Sequence, residues 1–267
     1  MNIKRILLTG DDGYNSLGTR LLIYFLKDRY ELAIAGTKHQ QSGVGGHVNV
    51  LKGGKWGQEK VDGIPALWVS TFPADAIHLA ASFYKQPFDL VISGINLGLN
   101  IGGGIISSGT FSAAAVAMSL QMAKRAIVLS WDVHYSHYFK DHSGAEDMKE
   151  YIDYPGSVVF DLITRAIDHD FWGASILNVN LPLAKTRRVR FTKPLPDLKL
   201  FYEYPLRTDP KKHTFAYPKD KLHRRQSRNL SYDSGAVLDE CISLTLYEAN
   251  FAAEKFYKKM HEREMTL

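Results

Sequence analysis

Apolar residues along the chain fall into short unbroken runs, each ending at a turn or a change of spacing. The first, Ile6-Leu7-Leu8, closes at Thr9 and the turn Gly10-Asp11-Asp12-Gly13. Unbroken runs of this length predict strands covered on both faces, whereas a half-exposed strand alternates apolar and polar positions. Comparable runs occur at Glu31–Ala35, Ala66–Ser70, Leu90–Ser93, Ala126–Leu129 and Ile176–Leu181. Between them the spacing becomes helical. Leu17, Leu21, Leu22, Phe25 and Leu26 share one broad helical face. Pro73-Ala74-Asp75 opens a helix to Phe83, because proline's fixed φ and missing N–H suit a first turn. A small-residue helix follows from Thr110 to Met122, and another lies around Val158–Ile167. Val189–Thr192 and Val237–Leu246 read as later strands. Residues 249–264 read as a charged helix with an apolar edge of Phe251, Phe256 and Met260.

Buried strands separated by helices predict βαβ units. The expected fold class is therefore α/β: a Rossmann-like, mostly parallel sheet with helices on both faces, followed by a smaller carboxy-terminal β-hairpin and helix extension. The boundary is drawn at residues 1–184 for the α/β domain and 185–267 for the extension, whose terminal helix would pack either on a neighbouring subunit or on its own body. Ligands in such sheets bind beyond the carboxyl ends of the strands. Three loops consequently hold the candidate chemistry: residues 10–18, 37–47 and 94–110.

Composition narrows the class. The chain has 267 residues, and 45% hydrophobic with 23% charged residues is enough to build a core, which excludes a disordered chain. One cysteine, Cys241, excludes an intramolecular disulfide and a multi-cysteine metal site. The sequence has no apolar run long enough to span a bilayer and no signal-peptide pattern, so the expected location is cytoplasmic with no membrane partner. The net charge of +5 is uneven: Lys185 to Arg228 holds 14 Lys or Arg against 4 Asp or Glu, leaving 19 against 24 elsewhere. That segment, with Phe201, Tyr202, Tyr204, Phe215 and Tyr217 interleaved, suits either a solvated hairpin or an anion-attracting arm. No helix-turn-helix or zinc-finger spacing accompanies it, which disfavours dedicated nucleic-acid binding.

Asp11-Asp12 is the most informative pair. Adjacent carboxylates directly after a buried strand repel each other in a partly desolvated crevice, and a hard divalent cation with oxygen ligands relieves that repulsion. Ser42, in the flexible loop Gln41–Gly46, lacks the G-x-S-x-G surroundings of a nucleophile and reads as a neutral oxygen ligand. Asn96 and Asn100 lie in a Gly/Asn-rich stretch and supply neutral oxygens or amide donors. Ser108-Gly109-Thr110 precedes a helix, where backbone N–H groups form an anion cradle. A dinucleotide fingerprint, a Walker-type phosphate loop and an H-E-x-x-H motif are all absent, and the ten histidines show no ligand spacing.

Taken together, these loops resemble the SurE family, the stationary-phase survival proteins. The resemblance covers most of residues 4–182. It rests on Ile6–Tyr14, Gln41-Ser42-Gly43, Pro73-Ala74-Asp75, Ser93-Gly94-Ile95-Asn96, Gly98–Gly102, Ser108-Gly109-Thr110 and Leu177–Pro182, all in order. It implies a divalent-metal-dependent phosphatase acting on 5′- and 3′-nucleoside monophosphates, with one Mg²⁺ or Mn²⁺ held by Asp11, Asp12, Ser42 and Asn96. By the same likeness Asn100, Ser108, Gly109 and Thr110 bind the phosphate, and the chain forms a homodimer or homotetramer. Three positions depart from the family pattern: Gly10 where Asn is usual, Gly103-Gly104 where acidic residues are common, and Glu240-Cys241 in place of Gly-Tyr.

The expected function is accordingly 5′/3′-nucleotidase activity, in which a metal-activated water attacks phosphorus. Asp11 and Asp12 are the catalytic carboxylates, and the residues leave open whether Asp12 or a metal-bound hydroxide is the base. Two alternatives stand beside it: a phosphate- or nucleotide-sensing module without turnover, and nucleic-acid binding through residues 185–228. A receiver-type sensor also places an acidic pair after its first strand. It needs an Asp after a middle strand and a late Lys, where this chain has Ser93 and Leu129-Ser130.

Overall fold

β1 (Arg5–Thr9) separates two hydrophobic cores. Ile6 and Leu8 face a cluster built with α1 (Leu17–Leu26) and α5 (Val158–His169), whereas Leu7 faces α2 (Pro73–Phe83) and α3 (Gly109–Ser119). All three side chains are fully buried, each contributing about 1.5–3 kcal/mol relative to an exposed one. The structure, a computed structural model, describes residues 2–134, 137, 140–197, 202–203, 207–217, 223–224 and 229–249.

The remaining strands of the main sheet are β2 (Glu31–Thr37), β3 (Trp56–Val61), β4 (Ile64–Val69), β5 (Leu90–Leu97), β6 (Ala126–Trp131), β7 (Ile176–Leu181), β8 (Val189–Thr192) and β13 (Ile242–Tyr247). They lie side by side in the order β3-β4-β2-β1-β5-β6-β7-β13-β8. The six strands from β4 to β7 are parallel; β3 runs against β4, and β13 runs against β7 with β8 parallel to it. The expected α/β class, a mostly parallel sheet with helices on both faces, is what the chain forms. β1 pairs with β2 on one side and β5 on the other, so the order reverses between β1 and β5. In sheets of this kind ligands bind outside the carboxyl ends of the strands at such a reversal.

Several boundaries differ from the sequence expectation. β3 was not expected, because its residues WGQEKV are polar and mostly exposed; the turn Asp62-Gly63, both at positive φ, folds it back on β4. β5 runs on past Ser93 to Leu97 through an irregularity between Ser93 and Asn96, so Asn96 stands on a strand. The next loop is partly ordered as a 3₁₀ turn, Gly102–Ser107, and α3 ends at Ser119. Val237 and Leu238, expected in a strand, belong to α6 (Asp233–Leu238); the local apolar run hid the helix-to-strand boundary. A short α4 (Lys149–Tyr151) and a wide turn, Ile152–Ser157, lead into α5.

Beyond residue 184, β8 and β13 complete the same sheet, and α6 packs beneath them. The basic segment carries two antiparallel pairs, β10 (Arg207–Asp209) with β11 (Thr214–Ala216), and β9 (Tyr202–Glu203) with β12 (His223–Arg224). Phe215 and Tyr217 are exposed there. Phe201, Tyr204 and the expected terminal helix beyond residue 249 lie outside the described residues. No helix among the described residues is long and apolar enough to cross a membrane.

Candidate metal and phosphate site

Thr9 ends β1, and the next turn brings Asp11 and Asp12 into the crevice. Both are buried, at 4% and 8% exposure. The Asp11 carbonyl accepts the Gln41 amide at 2.7 Å, tying the loop after β2 to the loop after β1. The Tyr14 amide donates to the Thr37 carbonyl at 2.8 Å and closes the turn. Ser16 then caps α1, its hydroxyl accepting the Thr19 amide at 3.2 Å, a contact worth about 1 kcal/mol.

The two carboxylates are held differently. Asp11 Oδ1 accepts a hydrogen bond from the Thr110 hydroxyl. Burial raises its pKa, opposed by that hydroxyl and by the backbone amides of Asp11, Thr110 and Gly109. Asp12 Oδ2 accepts the Leu97 amide at 2.8 Å. Burial first, and the Asp11 charge second, push its pKa up to about 8. Gly109 permits the close approach of α3: a Cβ there would lie 2.8 Å from both Cβ and Oδ2 of Asp11. A carboxylate thus sits against the first turn of α3, where aligned N–H groups favour negative charge.

The other expected ligands, Asn96 and Ser42, each follow or precede a residue bonded to this pair. Asn96 is half-buried one residue before Leu97, and its Nδ2 donates to the Gly98 carbonyl at 2.8 Å. Ser42 is exposed, one residue after Gln41, and its hydroxyl accepts from the Gln40 side chain. Further along the same loop, the Gly45 amide donates to the Ser107 carbonyl at 2.9 Å. The three loops therefore interlock: 10–16 with 37–47 through Asp11 and Gln41, 37–47 with 98–108 through Gly45 and Ser107, and α3 with the first through Thr110 and Asp11.

Of the expected phosphate-binding residues, Gly109 and Thr110 contact Asp11 directly. Ser108 caps α3, its hydroxyl accepting the Phe111 amide at 2.9 Å. Asn100 is held by β6 and β7: its Nδ2 donates to Ser130 Oγ at 2.9 Å, and its amide donates to Asn180 Oδ1 at 2.8 Å. Its carbonyl accepts from Asn178 at 2.9 Å and Asn180 at 3.0 Å. Three of these supports had no role assigned from sequence: Ser130, Asn178 and Asn180, as also Ser93, whose hydroxyl donates to the Thr110 carbonyl at 2.7 Å. Asp132, buried just beyond β6 at the same sheet edge, is a further unassigned carboxylate. The available signal was a polar side chain inside an otherwise apolar buried strand, as in Ile-Leu-Asn-Val-Asn-Leu.

Among the described residues no lysine or arginine pairs with Asp11 or Asp12, and no three His, Cys, Asp or Glu side chains converge as a metal cluster. The donor set is two carboxylates with neutral amide and hydroxyl oxygens nearby. Hard oxygen donors of this kind suit Mg²⁺ or Mn²⁺ and do not suit a soft-ligand metal. Two buried carboxylates with raised pKa values are a pair that a divalent charge would ionise.

Fold and site together define an α/β protein with an acidic crevice at the switch point of its sheet. The chain belongs to the SurE family: the family model described as Survival protein SurE matches residues 6–197. It is 34% identical over 180 residues to 5′-nucleotidase SurE of Methanopyrus kandleri, a match covering 67% of this chain and 66% of that one. It is 29% identical over 261 residues to 5′-nucleotidase SurE of Helicobacter pylori, covering 91% of each. The fold is shared with the crystal structure of the SurE protein from Aquifex aeolicus, at a TM-score of 0.72 and 23% identity, over 96% of this chain and 98% of that chain. At Gly10 a Cβ would meet nothing closer than 3.5 Å, so steric crowding does not require glycine.

Proposed function

We propose that this chain is a divalent-metal-dependent phosphoric monoester hydrolase that releases phosphate from nucleoside monophosphates, a 5′/3′-nucleotidase. The observation that carries the reading is the Asp11–Asp12 pair, buried against the first turn of α3 with no cation of the described chain beside it. The names of the relatives support the substrate class.

In this reading Asp11, Asp12, Ser42 and Asn96 hold one Mg²⁺ or Mn²⁺. When bound, such an ion supplies charge neutralisation at the phosphoryl oxygens and lowers the pKa of water. Asp11 keeps its carboxylate in place through Thr110, and Asp12 does so through the Leu97 amide. Ser108, Gly109, Thr110 and Asn100 bind the phosphoryl group, using backbone amides and the positive end of α3. Water adds to phosphorus as the bond to the nucleoside oxygen breaks, and the leaving oxygen takes up a proton. Interlocked loops keep these groups aligned without a large rearrangement, which is where positioning contributes to rate. We assign the chain to the cytoplasm as a homodimer or homotetramer.

Phosphate release from AMP, GMP, a 3′-nucleotide and a non-nucleotide ester, each with Mg²⁺, Mn²⁺ or chelator, tests the proposal. Metal-dependent turnover of the nucleotides supports it; tight nucleotide binding without turnover points to the sensing module instead.

A further inference from the structure

Asp233 opens α6, is wholly buried, and has no part in the chemistry above. Its carboxylate gathers amides from three separate stretches of chain. Oδ2 accepts from Gly102 at 2.7 Å, and Oδ1 accepts from Leu195 at 3.0 Å and from Ser234 at 2.8 Å. The Asp233 amide donates to the Lys193 carbonyl at 2.9 Å, which fixes α6 to the end of β8. Gly102 starts the 3₁₀ turn that leads into Ser108. It has φ of +52°, and a Cβ there would lie 2.6 Å from the Leu195 carbonyl oxygen. Ile101 and Leu195 form a small separate core against Leu99, Tyr232 and Leu238.

The loop has few other ties. Residues 103–107 are half-buried or exposed, with Ile106 82% exposed. Hydrogen bonds from other parts of the chain hold residues 98–108 at Gly98, on the Trp131 carbonyl and Asn96, at Asn100, on Ser130, Asn178 and Asn180, at Ser107, on the Gly45 amide, and at Gly102, on Asp233. Among these the bond from Gly102 to Asp233 is the charge-assisted one, and bonds to a carboxylate are stronger than those between neutral groups.

We propose that Asp233 is a positioning residue of the phosphate-binding loop, holding residues 98–108 so that Ser108–Thr110 keep their places beside Asp11 and Asn100 keeps its own against β6 and β7. It rests on the reading of the site as a phosphatase. The carboxy-terminal part of the chain then belongs to the scaffold of the site. Loss of the carboxylate would leave three buried donors without their acceptor and free the turn at Gly102.

The test uses the full chain with Asp233→Asn and Asp233→Glu. It reads kcat and KM for AMP, the inhibition constant of inorganic phosphate, Mn²⁺ affinity, and amide hydrogen exchange by peptide. Asp233→Asn is expected to raise KM and the phosphate inhibition constant about tenfold, since small misplacements of binding groups carry penalties of this order. Exchange should quicken over residues 98–108 while β1 and Mn²⁺ affinity stay unchanged, and Asp233→Glu should recover part of the loss. A folded Asp233→Asn with wild-type exchange over 98–108 and wild-type KM overturns the proposal. A wild-type chain that hydrolyses no phosphate ester removes the phosphatase reading, and the exchange data then decide the clamp alone. If Asp233→Asn does not fold, the unaltered chain decides: slow exchange of the Gly102 amide, matching Leu195 and Ser234, supports the clamp, and unprotected exchange at Gly102 overturns it.

Discussion

The Leu97 amide donates to Asp12 Oδ2 at 2.8 Å across 85 residues of sequence, so the end of β5 and the turn after β1 close on each other at one point. Asn96, the residue before Leu97, is brought next to the acidic pair by that bond. The irregularity in β5 between Ser93 and Asn96 sets which residues face the crevice, and a strand continued in regular register would present a different set.

Gly109→Ala separates helix stability from site geometry. Gly109 is the first residue of α3, after its cap Ser108, so alanine there leaves the helix itself intact. Its Cβ, however, would stand 2.8 Å from Asp11 Cβ and Oδ2 and displace the carboxylate. The expected outcome is a folded chain with weaker Mn²⁺ binding and turnover lowered by about tenfold or more. Circular dichroism with metal-dependent kinetics checks it; undiminished turnover would rule out the contact as a constraint.

Asp12→Asn is expected to stabilise the metal-free chain at alkaline pH. The Asp12 carboxyl is pushed up to about 8, by burial first and by the Asp11 charge second. A folded pKa above the unfolded one means that its contribution to stability is full below the unfolded value and is lost as pH rises through the folded one. In chelator, wild type should therefore lose stability between roughly pH 4 and pH 8, and the variant should lose less. Thermal unfolding of both across that range is the measurement, and identical pH profiles would contradict it.

His142 gives the opposite sign. Its side chain is 3% exposed, Nδ1 accepts from the Leu17 amide at 3.5 Å, and Nε2 is buried without a partner among the described residues. Burial is the largest influence and lowers its pKa; Glu146 at 3.8 Å and Asp141 favour the charged form, and Lys140 and His137 oppose it. Its contribution is present above the unfolded value of 6.5 and is lost as pH falls through the folded value. The surrounding segment also ties down the loops of the site, since Asp141 accepts the Gln40 amide at 3.1 Å and the Glu146 carbonyl accepts Arg20 at 2.9 Å. Wild type should be destabilised between roughly pH 7 and pH 5 more than His142→Gln is. Equal unfolding profiles in urea would refute the assignment.

Much of the fold was legible because six central strands are covered on both faces, which leaves unbroken apolar runs in the sequence. β3 was not, since an exposed edge strand carries no such run. The acidic pair could be read from its place after β1, where chain position alone implies the crevice. The supports of the site could not. Ser130, Asn178, Asn180 and Asp233 act across separations of 30, 78, 80 and 131 residues. Their partners are chosen by the sheet order β5-β6-β7-β13, which no local pattern states.

Titration of Mn²⁺ by electron paramagnetic resonance, on wild type, Asp11→Asn and Asp12→Asn, reads out whether the acidic pair holds an ion. One ion per wild-type chain is expected, displaced by Mg²⁺, with affinity weakened by about 100-fold or more in each folded variant, beyond what loss of an outer-shell contact causes. Wild-type affinity and stoichiometry in both variants would contradict it.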